Sequence, residues 1–153
     1  GKSTFKSYDN PTINRAEHLS FFEKMNDYYI DSQNRLFIHA GFSSMHGPSQ
    51  EVYATNYSWD RTLWETAVAM DKHLKRHSEL YPKRLKLFQE IYIGHTPTLN
   101  YNIEEPMNKA NVWNVDTGAV FTGKLSCLDI ETKEIWQSDK LQTLYPSEKG
   151  RNK

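Results

Sequence analysis

The chain has one cysteine, Cys127, among 153 residues, which excludes an internal disulfide and suits a reducing compartment. It has no apolar run near the ~18 residues that a membrane-spanning helix needs. Charge of one sign is also missing: nineteen Lys and Arg balance nineteen Asp and Glu. No net field would therefore draw the chain to nucleic acid or to an anionic membrane, and neither is expected as a partner. The opening "GKSTFKSYDN" lacks the apolar core of a signal peptide, so the expected setting is the cytoplasm. Repeats and low-complexity segments are absent too. Hydrophobic residues make up only 37% of the chain, which points to an incomplete core or to a part lying on the surface. Aromatics, by contrast, are plentiful, with four Trp, nine Tyr and seven Phe available to build a core. The length suits one domain that buries roughly two thirds of its unfolded surface.

After a turn at Asn10-Pro11, Leu19, Phe22, Met25 and Tyr29 recur at three- and four-residue spacing and predict an amphipathic helix. "NRLFIHAGF" predicts a short strand, Leu36 to His39, running into Gly41. A loop rich in Ser, Gly and Pro follows, from Gly41 to Gln50. The strongest helix signal spans Ser58 to His77, with Trp59, Leu63, Ala67, Met70 and Leu74 as its apolar stripe. Next come a strand from Glu90 to Ile93, a polar loop from Asn100 to Ala110, and a strand in "NVWNVDTG". Leu125 to Ile130 and Glu134 to Gln137, joined at Glu131-Thr132-Lys133, predict a hairpin. Residues 1–145 are expected to form the domain and 146–153 a disordered tail. This order of elements predicts an α/β fold: a mixed sheet with flanking helices and a C-terminal hairpin.

Three of these strands end alike, in His-Ala-Gly, Gly-His-Thr-Pro and Asp-Thr-Gly. Ligands of open α/β sheets bind beyond the carboxyl ends of the strands, so the three ends are candidates for one site. His39 and His95 each stand beside a glycine that lets backbone or ligand approach closely. They read either as core histidines or as ligands, since neutral imidazole is a common donor to transition metals. His73 and His77, at i, i+4 on the expected helix, could chelate a metal, but Lys72, Lys75 and Arg76 favour a solvated basic face. Asp116 reads as a turn residue whose carboxylate accepts from an amide two residues on. Arg61 is a surface charge, a helix partner or an anion ligand with a planar fork for phosphate. Cys127 alternates with Leu125 and is expected to face a core, inert without activating neighbours. Gly1-Lys2-Ser3-Thr4 mimics the end of a P-loop, but "FKSYDNP" reads as no helix, and that reading is set aside.

In order, "RLFIHAGF", "DRTLWE", "IYIGHTPT" and "NVDTGAVFTGKLSCLDIET" resemble the C-terminal half of the calcineurin-like metallophosphoesterases. The likeness is to the bacterial branch of serine/threonine phosphatases and symmetrical diadenosine-tetraphosphate hydrolases. The opening "GKSTFKSY" resembles the segment that follows the Asn-His-Glu motif in that branch. The resemblance implies the C-terminal part of an αββα sandwich, with two divalent ions (Mn, Fe or Zn) at the strand ends. It implies that His39 and His95 bind one of those ions and that Arg61, though differently spaced from Trp64, contacts the phosphate of a phosphorylated substrate. Gly41, Gly94, Asp116 and Gly118 would shape the site without taking part in the chemistry.

The family's other ligands come from G-D-x-H-G, G-D-x-x-D-R-G and G-N-H-E, and none of these motifs occurs here. Two histidines alone, with no carboxylate positioned to neutralise charge, make at most a weak, open metal site. The expectation is part of a metal-dependent phosphatase acting on phosphoproteins or dinucleoside polyphosphates, inactive alone, as a piece of a larger hydrolase. The alternatives are a non-catalytic interaction module that keeps a remnant of the fold, and a generic α/β domain with core histidines. A half-domain would also expose the apolar faces of the strands ending at His39 and His95, which predicts self-association.

Overall fold

A computed structural model describes residues 2–147. The helices are α1 (Lys2–Ser7), α2 (Arg15–Glu23), α3 (Asn56–Trp59), α4 (Thr62–Ala69), α5 (Lys83–Lys86) and α6 (Leu141–Leu144). The strands are β1 (Tyr28–Ile30), β2 (Arg35–Ile38), β3 (Glu90–Ile93), β4 (Met107–Lys109), β5 (Val112–Asn114), β6 (Ser126–Leu128) and β7 (Ile135–Gln137). Five strands form one mixed sheet in the order β1-β2-β3-β5-β4, and β6-β7 form a separate two-stranded ribbon. Within the sheet β2, β3 and β5 run parallel, while β1 and β4 are antiparallel edges. The chain is thus a mixed α/β protein with flanking helices and a C-terminal hairpin. None of the helices described is long and apolar enough to cross a membrane.

The register places Leu36, Ile91 and Val112 side by side, and alternation puts Ile38 and Ile93 on the same face. These side chains pack with Leu63, Trp64 and Ala67 of α4 and with Leu85 and Phe88 to form the core. Leu36, Ile91, Val112, Leu63 and Trp64 are fully buried. On the opposite face Phe37 stacks on Tyr92, with ring centroids 4.9 Å apart. There the β6–β7 hairpin is tied down by two ion pairs, Arg35 to Glu131 at 2.6 Å and Lys133 to Glu90 at 2.8 Å. Having both faces covered explains why β3 reads as a near-continuous apolar run.

Several expectations change. The 58–77 helix is broken at both ends by aspartates. Asp60 turns extended, and its carboxylate accepts from the amides of Thr62 and Leu63 at 3.1 and 3.0 Å, so it caps α4 from outside. At the other end Asp71 accepts from the amide of His73 at 2.8 Å, and the chain continues in turns. His73 and His77 therefore share no helix face, and Trp59 is an exposed side chain outside the stripe. Residues Lys2–Ser7 are helical where no helix was expected. Helix α2 forms, capped by Asn14, but Leu19, Phe22 and Met25 stay exposed, and Tyr29 belongs to β1. Cys127 is exposed, because the ribbon's Leu125–Cys127 side faces away from the sheet. The short strands β1 and β4 lay in stretches read as helix and as loop. The strands ending at His39 and His95 keep their neighbours, as they are central in the sheet; residues 5–30 carry one group of exposed apolar side chains, Phe5, Leu19, Phe21, Phe22 and Met25 among them. The expected tail falls mostly on residues 148–153, outside those described.

Candidate functional site

Because β2, β3 and β5 are parallel neighbours, the residues that follow them emerge at one edge of the sheet. His39 leaves β2 with its carbonyl accepting from the amide of Gly94 at 2.8 Å, which couples the first strand end to the second. His95 has φ of 67°, and the Thr96 amide donates across it to the Gly94 carbonyl at 2.7 Å. This tight three-residue turn is a strained conformation for a side chain branched into a ring, and strain of this kind gathers at functional sites. The turn is held from below by Asn114, which is fully buried in β5. Its amide donates to the Thr96 carbonyl at 2.7 Å and its side-chain oxygen accepts from the Asp116 amide at 3.1 Å. The Asp116 carbonyl in turn accepts from the Thr98 amide at 2.8 Å.

The result brings His39 Nε2 within 3.3 Å of His95 Nδ1. The two rings meet edge to face, with centroids 5.2 Å apart. Trp59 also meets the His95 ring edge to face, centroids 5.3 Å apart at 79°. These groups open onto a cleft of about 1090 Å³ that Arg61 and Asp116 also line. His39 is exposed and His95 half-buried, so neither is a residue of the hydrophobic core. His95 Nε2 is buried without a hydrogen-bond partner, an orphaned polar atom of the kind that a ligand would satisfy. Burial first, then the neighbouring His39 and Arg61, push the His95 ring below its ordinary pKa, with Asp116 partly opposing them. These influences favour the neutral ring, the form that carries a lone pair for donation.

The remaining expected residues fall into place individually. Arg61 stands exposed at the start of α4 and makes no ion pair among the described residues. The Asp116 carboxylate accepts from the Gly118 amide at 2.9 Å, the turn bond read from the sequence. Gly118 has φ of +73°, and a Cβ there would run into Leu99. At Gly41 a Cβ would come within 2.5 Å of Asp60 Oδ2, so glycine lets the cap of α4 sit on the loop leaving His39. Gly94 would accept a Cβ in ordinary contact with His39 and Asp116, so close approach there does not require glycine.

Asp27 and Asp116 are among the residues that line the cleft. Even so, no group of three His, Cys, Asp or Glu side chains among the described residues is arranged to hold a metal ion. The two imidazoles fit one partial set of nitrogen donors and do not by themselves fit a bridged pair of ions. Sequence reasoning missed Asn114, Trp59 and Asp60. Only Asn114 left a signal, a polar residue at an inward position of the apolar run "NVWNV". No protein-family model matches the chain, and no curated protein matches it either.

Proposed function

We propose that the chain carries the His39–His95 part of a metal-dependent phosphatase site, within the C-terminal part of a calcineurin-like sandwich. The observation that supports this best is the convergence of two strand-end histidines, 3.3 Å apart, at the carboxyl edge of a parallel sheet. A divalent ion, when bound, would polarise a phosphoryl oxygen and lower the pKa of a coordinated water. His39 and His95 would hold it through ring nitrogens, burial favouring the neutral form of the second. Arg61, unpaired on the cleft wall, would pair with a phosphate of a phosphoprotein or a dinucleoside polyphosphate. Trp59 covers one side of His95 and limits the directions from which water reaches it. Asn114 and Asp116 hold the backbone turn that aims His95. The further ligands and the general acid lie outside this set of residues, and the chain alone is expected to turn over no substrate.

Zinc titration followed through the imidazole resonances tests the donor pair. His39 and His95 signals should shift together, and His95→Ala should weaken binding by about tenfold or more. Equal zinc affinity in that variant would remove the metal reading. Hydrolysis of p-nitrophenyl phosphate with added Mn²⁺ tests the second part. Metal-dependent turnover by the chain alone, lost in His95→Ala, would show that the site is complete.

A further inference from the structure

A second cleft, about 720 Å³, lies at the other end of the parallel strands, between the turns after α4 and the β4–β5 connection. Lys72, Lys75, Arg76 and Lys109 line it. None of the three lysines has an ion-pair partner among the described residues. Arg76 is held in place by carbonyls alone, those of Phe88 at 2.6 Å and of Lys86 and Gln89 at 3.3 Å. Its charge is fixed and uncompensated. The acidic residue lining the cleft, Glu90, is already neutralised by Lys133 at 2.8 Å. In a chain whose charges cancel overall, this is a local concentration of positive charge. Part of its lining is apolar: Val68, Met70 and Leu74 are half-buried there against the core.

We infer that this cleft docks an extended acidic peptide segment of a partner protein. Carboxylates at alternate positions would meet the lysines and Arg76, while the intervening apolar side chains would cover Val68, Met70 and Leu74. An extended chain presents successive side chains to opposite sides, which suits a groove with a lining part cationic and part apolar. A nucleic acid strand fits less well, since its affinity comes from phosphate contacts along a basic track. Here the cations are confined to one cleft of a chain with zero net charge. The inference is independent of any chemistry at the histidines.

The test is fluorescence anisotropy with the full chain and a short fluorescein-labelled peptide of alternating Glu and Leu. Saturable, salt-sensitive binding is expected. Reversing the charges together in Lys72→Glu, Lys75→Glu and Lys109→Glu should weaken it by roughly tenfold to a hundredfold, since three exposed pairs become repulsive. His95→Ala should bind the peptide as the parent does. If the triple variant loses its circular dichroism spectrum, Lys75→Gln alone should still show a reproducible loss. No saturable binding, equal binding of a Lys–Leu peptide, indifference to the lysine variants, or tighter binding of a single-stranded oligonucleotide would each overturn the proposal.

Discussion

Glu51 shows how one side chain can organise a wall of the histidine cleft. Its carboxylate accepts from the amides of Ser43 at 2.5 Å, Ser44 at 3.1 Å and Tyr53 at 3.3 Å, and from the Asn56 side chain at 3.1 Å. It thus closes the loop that leaves His39 and fixes the start of α3, which carries Trp59 to His95. Burial opposes ionisation of this carboxyl, but the Ser43, Tyr53, Ser44 and Asn56 donors outweigh it and hold the pKa down to about 2. A carboxylate depressed on folding contributes stability above its unfolded pKa and loses it as the pH falls through the folded value. Glu51→Gln should therefore melt below the parent at neutral pH. The gap should close between its ordinary 4.5 and about 2. Parallel thermal melts across that range check this; a gap that does not change with pH would mean that the carboxylate's charge is irrelevant.

At the scale of elements, α2 is the anomaly. It is capped by Asn14, whose side chain accepts from the Ala16 and Glu17 amides at 3.1 and 3.3 Å, yet none of its residues is buried. Phe21 and Phe22, 64% and 61% exposed, lie edge to face on each other. A capped helix without a packed face gains little from propensity alone. Apolar surface of this kind on residues 5–30 is the expected route to self-association. Phe21→Ser with Phe22→Ser should change folding stability by no more than about 0.5 kcal/mol. Light scattering behind a sizing column should show a smaller associated fraction at high protein concentration. A parent that stays monomeric at every concentration would end this expectation.

For the molecule as a whole, charged latches help to fasten the hairpin to the sheet, while the ribbon's apolar Leu125 and Trp136 stay exposed. Lys133 donates to Glu90 at 2.8 Å, to the Tyr92 hydroxyl at 2.5 Å and to the Ile130 carbonyl at 2.5 Å. Its ammonium also lies 5.2 Å from the Tyr92 ring centre and 5.6 Å from that of Trp113. Removing one partner of a partly buried pair leaves the other without compensation. Lys133→Met should cost about 2 kcal/mol, read as a melting point lower by several degrees. Amides of β6 and β7 should exchange faster than those of β2 and β3. Unchanged protection of the hairpin would mean that Arg35–Glu131 and the backbone hold it unaided.

Much of this arrangement was legible in the residues. The run from Glu90 to Ile93 read as a buried strand, the turn at Glu131-Thr132-Lys133 marked a hairpin, and Asp116 made the local bond its type favours. His39 and His95 stood out because each follows an apolar run and lies within two residues of a glycine. These are local properties, fixed by side-chain period and by bonds spanning two or three residues. Tertiary structure decided the rest. Periodicity drew one helix from Ser58 to His77, but buried Asp60, seated against Gly41, captured the amides that begin α4. Nothing local revealed that residues fifty-six apart would face each other at 3.3 Å. That followed from β2 and β3 pairing in parallel, with Asn114 of β5 bracing the turn beneath His95. The sequence by itself determined which segments end in histidine; the sheet order determined that those ends share one cleft, because only long-range strand pairing sets distances across the fold.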